Sequence, residues 1–168
     1  MRFISIISKI KSEVSHCQSC FKLSLKQRDS LCEHCLDNTR DASMLMVVAK
    51  DIDLENITRS REFNGRFFVL GGLLPILEKN PEQKIRVREL TMAIQKMMEL
   101  ESDLKEIIIA LSVNSEGDNT TEYLKMLLDP ICKNHGIKLS VLGRGLSTGT
   151  ELEYSDSDTI KNALKNRE

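Results

Sequence analysis

The chain has 168 residues, 24 Lys and Arg against 25 Asp and Glu, a formal net charge of −1, and a composition that is 40% hydrophobic but only 4% aromatic. That balance describes one ordinary domain with at most a small appendage, and it excludes a disordered chain or a protein that coats DNA by bulk positive charge. No apolar run nears the roughly 20 residues needed to cross a bilayer, so no membrane segment is expected, and with no Trp, two Tyr and five Phe the core must be aliphatic.

In the first segment Phe3, Ile6, Ile7, Ile10 and Val14 recur at helical spacing, which predicts an amphipathic helix over residues 1–15. Lys9 and Lys11 interrupt the apolar stretch and no small-residue cleavage site follows, so the segment does not read as a signal peptide. So short a helix needs a surface to pack on. That surface is the rest of the chain, a second subunit, or the remainder of a longer N-terminal domain.

The strongest signal comes next. Four of the five cysteines stand as Cys17-x-x-Cys20 and Cys32-x-x-Cys35, with eleven residues between the pairs. Two such knuckles supply four thiolates, the ligand set of a tetrahedral zinc ion closed to water, which is a structural and not a catalytic site. A pair of disulfides or a redox Cys-x-x-Cys are the other uses of the spacing, but no secretion signal and no thioredoxin-like strand are expected before either knuckle. A zinc finger over residues 16–40 is therefore predicted, with His16 and His34 as bystanders or contacts to an anionic partner. Cys132 lies on the apolar face of a predicted helix and reads as a small buried hydrophobe.

From Met44 the pattern changes to short apolar runs, Leu45 to Val48, Arg66 to Leu70, Ile107 to Leu111 and Leu139 to Leu142, which read as buried strands. Val87, Leu90, Ile94, Met97 and Met98 form one helical face between them, and Leu124, Leu127, Leu128 and Ile131 form another. Strand alternating with helix predicts an α/β domain with a parallel sheet over residues 41–150. Asn119 followed by Glu122 has the form of a capping box for the helix that carries Tyr123 to Ile131. Ile160, Ala163 and Leu164 suggest a short helix within a tail over 151–168.

Gly71 and Gly72, Gly117, and Gly143 and Gly145 follow the second, third and fourth strands, the edge at which α/β sheets bind ligands. None of these loops carries a P-loop or a G-x-G-x-x-G turn. Asp51 and Asp53 after the first strand, and Glu116 and Asp118 after the third, are placed either to hold Mg²⁺ or to favour helix N-termini. No Ser-His-Asp order is present, and His135 is the single histidine of the α/β part, so a nucleophilic hydrolase is not expected.

Several segments together resemble the RecR family of bacterial recombination mediators: the two knuckles followed by Arg40-Asp41, Phe63-Asn-Gly65 running to Gly71-Gly72, and Glu106 to Ala110. Asn114-Ser-Glu116-Gly117-Asp118-Asn-Thr120, Gly145 to Gly149 and Glu151-Leu-Glu-Tyr154 continue the match almost to the end. The resemblance implies a four-cysteine zinc finger joined to a Toprim domain and a protein that is not an enzyme. It implies a bacterial, cytoplasmic, nucleoid-associated mediator that assembles as a homo-oligomer, a tetramer in the family. Such a protein binds DNA and acts with RecO-like and RecF-like partners in RecBC-independent gap repair, helping to load recombinase. Glu116, Gly117 and Asp118 correspond to a family surface for RecO.

Two departures stand out. Family members normally begin with about fifty further residues forming a helix-hairpin-helix, which are not in this sequence, so either its start is truncated or the protein is a reduced form. The Toprim pattern also expects a glutamate where Ala49 stands, and Asp156-x-Asp158 lies in the tail and not after the third strand. The alternatives are a Mg²⁺-dependent Toprim nuclease or primase-like enzyme, or a reduced paralogue acting only through partners. For DNA contact the candidates are Arg2, Lys9, Lys11, Lys22, Lys26 and Arg28 near the knuckles, with Arg59, Arg61 and Arg66 beyond them. Residues 1–40 hold seven basic against four acidic side chains and 41–168 hold seventeen against twenty-one, so charge is sorted by module.

Overall fold

The computed structural model describes residues 13–25, 30–101, 104–143 and Ile160. It opens with two three-residue strands, β1 (Val14–His16) and β2 (Leu23–Leu25), paired antiparallel with Val14 opposite Leu25 and His16 opposite Leu23. A single-turn helix α1 (Glu33–Leu36) follows. The remainder alternates: β3 (Asp41–Val48), α2 (Asp51–Ser60), β4 (Gly65–Val69), α3 (Pro81–Lys84), α4 (Val87–Glu101), β5 (Glu106–Ala110), α5 (Ser115–His135) and β6 (Lys138–Val141).

The four longer strands form one parallel sheet in the order β4-β3-β5-β6. Parallel neighbours require crossovers, and the helices that supply them cover both faces. Alternation along each strand sorts the side chains. Leu45 and Val47 of β3, Phe68 of β4 and Ile107 and Ile109 of β5 face one side, where they pack with Leu90 and Ile94 of α4 and Leu124, Leu128 and Cys132 of α5. Met46, Val48, Phe67, Val69 and Ala110 face the other side and meet Leu54 of α2. Burial on both faces is why these strands are nearly continuous apolar runs, and the predicted parallel α/β core is observed. Cys132, 2% exposed, is a core residue as expected.

Three local expectations are corrected. Val14 and Ser15, assigned to the N-terminal helix, lie in β1, so a short strand does precede the first knuckle; Phe3, Ile6, Ile7 and Ile10 lie outside the described residues. The helix that carries Tyr123 to Ile131 starts at Ser115, upstream of Asn119. Its N-cap is Asn114, whose side-chain oxygen accepts from the Gly117 amide at 2.8 Å. Asn119 is inside the helix, and its Nδ2 donates to the carbonyls of Leu74 and Pro75, each at 3.2 Å. Both asparagines suit a cap by type; Gly117 decides between them, because a Cβ there would lie 1.8 Å from the Ser112 carbonyl oxygen, an approach only glycine permits. Ile160 is helical, while Ala163, Leu164 and the Asp156-x-Asp158 pair lie outside the described residues. Among the described residues no helix is long and apolar enough to cross a membrane.

Phe68 is fully buried on the sheet and its ring meets that of Phe21 from the first knuckle at 5.4 Å. Phe68→Ala should therefore cost about 3–5 kcal/mol, read as a shift in the chemical denaturation midpoint, and should loosen the knuckle as well as the sheet.

Candidate metal centre and its seat on the sheet edge

Each knuckle is a tight turn held by its own backbone. In the first, the Cys17 amide donates to the Lys22 carbonyl at 2.8 Å and the Phe21 amide to the Cys17 carbonyl at 3.0 Å. Phe21 takes a left-handed conformation with φ of 61°, uncommon for a bulky residue, and its ring contact with Phe68 offsets the cost. In the second, Cys32 is the N-cap of α1, and the amides of Cys35 and Leu36 both donate to its carbonyl at 3.0 Å. The Cys32 amide also donates to the Cys17 sulfur at 3.3 Å, which links the two turns.

The result is that four Sγ atoms lie within 4.8 Å of one another, Cys20 and Cys32 only 3.5 Å apart. Cys17, Cys20 and Cys32 are each 1% exposed; Cys35 is half-buried and borders a cleft of about 320 Å³ against α4. All are free thiols, so the disulfide alternative is not adopted. Crowding couples their protons. Hydrogen bonding with Cys20, then with Cys32 and Cys35, holds the Cys17 thiol far below the ordinary range, while the bond to Cys17 pushes Cys20 far above it. Four thiols so close cannot all ionise side by side unless a cation sits among them. The donor set therefore fits a metal ion taken by four thiolates, with no position left for water.

This cysteine module seats on the sheet. In the order β4-β3-β5-β6, β4 has one edge turned away from β3, and an uncovered edge exposes unpaired amides and carbonyls. The Val69 amide on that edge donates to the Cys20 carbonyl at 2.8 Å, and the Val69 carbonyl accepts from Arg86 Nη1 at 3.0 Å. The Gly65 carbonyl accepts from Arg40 Nη1 at 3.1 Å, and Arg66 Nη1 donates to the Cys35 carbonyl at 3.3 Å. Arg86 and Arg40 also stand 5.6 Å over the rings of Phe21 and Phe67.

The histidines beside the knuckles complete these clasps. Arg86 Nη2 lies 3.0 Å from His16 Nε2, and Arg40 Nη2 lies 3.1 Å from His34 Nδ1. Since guanidinium can only donate, both rings accept at those nitrogens. Burial, followed by the charges of Lys22 and Arg40, lowers the His34 pKa and keeps that acceptor neutral. His34 Nε2 also lies 3.6 Å from Glu33 Oε1 and 3.9 Å from Glu55 Oε1. Arg86 and Glu55 were not singled out by sequence; the only signal for Arg86 is a charged residue set between Ile85 and Val87.

Comparison with known proteins fits this architecture. The Toprim domain family matches residues 43–143, and the family described as RecR, C-terminal matches 145–168. Recombination protein RecR of Synechococcus sp. is 37% identical over 166 residues, covering 99% of this chain and 80% of that protein. The proteins of the same name from Mycolicibacterium smegmatis and Prochlorococcus marinus are 37% and 35% identical, covering 99% and 98% of this chain and 78% and 76% of their own. The chain belongs to the RecR family.

In this RecR-family chain the expected contact residues are placed unevenly. Lys9, Lys11, Lys26 and Arg28, and Arg2 with them, lie outside the described residues. Lys22 is only 8% exposed, and its ammonium sits 2.5 Å from Glu55 and 3.3 Å from Glu33. That pairing holds the Glu55 carboxyl below its usual range through the hydrogen bond from Lys22. The residue typed as a DNA contact thus faces inward, because two carboxylates of α1 and α2 enclose it. Arg59 and Arg61 are exposed.

Glu116 and Asp118 are exposed in the first turn of α5, with Gly117 buried between them. The strand-end carboxylates do not converge. Asp51 accepts the Leu23 amide at 3.2 Å, and Asp53 accepts the Lys50 amide at 2.9 Å as a helix cap. Among the described residues the clusters able to hold a metal are the four cysteines and Glu33-His34-Glu55, and the latter already encloses Lys22. Ala49, at the end of β3, is 1% exposed and offers no ligand or base.

Cys17→Ser should leave purified protein with less than one bound metal ion per chain by elemental analysis, and chelation should erase the ordered structure of residues 16–40 while the sheet persists. Lys22→Glu should lower stability by about 2–3 kcal/mol, because it sets a third carboxylate between Glu33 and Glu55; an unchanged melting temperature would contradict the buried pairing.

Proposed function

We propose that this chain is a non-catalytic mediator of recombinational DNA repair that binds DNA, works with RecO-like and RecF-like proteins in gap repair, and helps load recombinase onto single-stranded DNA. The observation that carries the reading is the combination of a closed four-thiol site with a Toprim sheet whose strand β3 is followed at once by buried Ala49. The relatives carry the name recombination protein, which is the class of work assigned here.

The metal in this reading is one zinc ion held by Cys17, Cys20, Cys32 and Cys35. It supplies rigidity and no chemistry: it fixes the knuckles so that the Cys20 carbonyl meets the Val69 amide. The functional units are the zinc finger of residues 16–40, the Toprim domain of 41–150 and the segments on either side. The chain works in the cytoplasm as a homo-oligomer. Glu116, Gly117 and Asp118 form the contact for a RecO-like protein, where two exposed carboxylates stand on a rigid helix start.

DNA contact falls to Lys9, Lys11, Lys26 and Arg28, with exposed Arg59 and Arg61, because Lys22 is enclosed. A four-thiolate zinc site carries a formal charge of about −2, so the basic surplus near the knuckles is small and binding depends on assembly and partners. A Mg²⁺-dependent nuclease or primase draws no support from carboxylates used as caps and backbone acceptors.

Two measurements test the proposal together. Single- and double-stranded DNA incubated with the protein and Mg²⁺ or Mn²⁺ should remain uncut; turnover abolished by Glu116→Ala would overturn the mediator reading. DNA affinity should fall steeply with added salt, and Lys26→Glu with Arg28→Glu should weaken it at low salt.

A further inference from the structure

One turn of the molecule is built against the usual chemistry of turns. The Glu78 amide donates to the Pro75 carbonyl at 3.1 Å and closes a four-residue turn. Its central residues are Ile76, 64% exposed, and Leu77, 89% exposed. Central turn positions in water favour Gly, Asn, Asp and Ser. Two large aliphatic side chains there keep apolar area in water and contribute nothing to the core.

The turn is nevertheless held firmly. The Leu74 amide donates to Thr120 Oγ1 at 2.8 Å, and that hydroxyl donates to the Glu116 carbonyl at 2.6 Å. Asn119 Nδ2 grips the carbonyls of Leu74 and Pro75. Thr120 is fully buried and Leu74 is 2% exposed. The first turns of α5 thus present an apolar tip in a preset position, which reduces the ordering cost of binding. The same segment brings charge. Residues 112–124 contain Glu116, Asp118 and Glu122 and no Lys, Arg or His, and Val113 beside them is 65% exposed.

From these observations we infer that the Pro75–Glu78 turn is an apolar plug that inserts Ile76 and Leu77 into an apolar pocket of a protein partner, while Glu116 and Asp118 meet basic side chains at the rim of that pocket. The inference rests on the proposed reading of Glu116, Gly117 and Asp118 as a partner contact, and it extends that contact to a second loop and specifies the partner's chemistry. Charge selects the class of occupant. Lys79 beside the turn is exposed and Lys84 pairs with Glu78 at 3.9 Å, but the start of α5 carries only carboxylates, which repel DNA phosphates and anionic lipid headgroups, whereas a basic, apolar protein pocket complements both parts. Buried aliphatic anchors supply affinity, and the exposed charges supply orientation and on-rate.

The test uses the full chain and the RecO-like protein of the same organism as probe, titrated calorimetrically at low and high salt. The double variant Ile76→Ser, Leu77→Ser should weaken the dissociation constant about tenfold or more, with the wild-type salt dependence retained. Its melting temperature and metal content should match the wild type, since both side chains are exposed. Glu116→Lys should weaken binding and flatten the salt dependence. If Glu116→Lys weakens binding but the turn variant does not, the plug is overturned and the partner reading stands. If both bind as wild type, the partner reading falls and the plug with it. A turn variant that binds the probe normally but loses mass in sedimentation would instead assign the plug to a second copy of this chain and overturn the inference.

Discussion

The architecture depends on one hydrogen bond and what holds its donor and acceptor in place: the Val69 amide, on the outer edge of β4, donating to the Cys20 carbonyl. A four-stranded parallel sheet has two edges, and an open edge is a template for unwanted pairing. Here the edge of β4 is closed by a knuckle that has almost no apolar core of its own. The knuckle draws its shape from four sulfurs that meet within 4.8 Å, so a metal ion taken by them would hold the sheet edge closed as well. Arg40 and Arg86 reinforce it, each donating to a β4 carbonyl, pairing with a histidine and covering an aromatic ring.

The opposite demand governs the C-terminal ends of the strands. In an α/β sheet those ends are where chemistry is usually placed, and a Toprim sheet that acts on phosphodiesters needs carboxylates there. In this chain the pair after β3 is otherwise engaged. Asp51 fastens β2 to α2, Asp53 caps α2, and Ala49 fills the end of β3 with a methyl group. What remains exposed at that end is the start of α5 and the turn it clamps, a surface of carboxylates and aliphatic side chains. Such a surface recognises more readily than it reacts, which agrees with the mediator role proposed above.

Much of this was legible from residue spacing. Cysteine pairs two residues apart can point their sulfurs to one place in few ways, so the four-thiol cluster followed from the pattern. The strands of the sheet also followed, because burial on both faces leaves little room for polar residues between Leu45 and Val48 or between Ile107 and Ala110. Long charged and amide side chains were not legible. Lys22 has the composition of a phosphate contact, and Asn119 with Glu122 has the spacing of a cap, yet the first is enclosed by two carboxylates and the second holds a loop more than forty residues away.

By itself, then, the sequence determined what short-range geometry determines: the four-cysteine cluster, the α/β alternation and the apolar faces, all of which depend on neighbours a few positions apart. The tertiary structure decided where the polar groups go. Whether Lys22 meets solvent, whether His34 is a bystander or accepts from Arg40, and whether Glu116 stands beside an apolar tip are set by segments that approach from distant parts of the chain. A charge has no preferred partner until the fold brings one within about 4 Å, and spacing along the sequence carries no record of that distance.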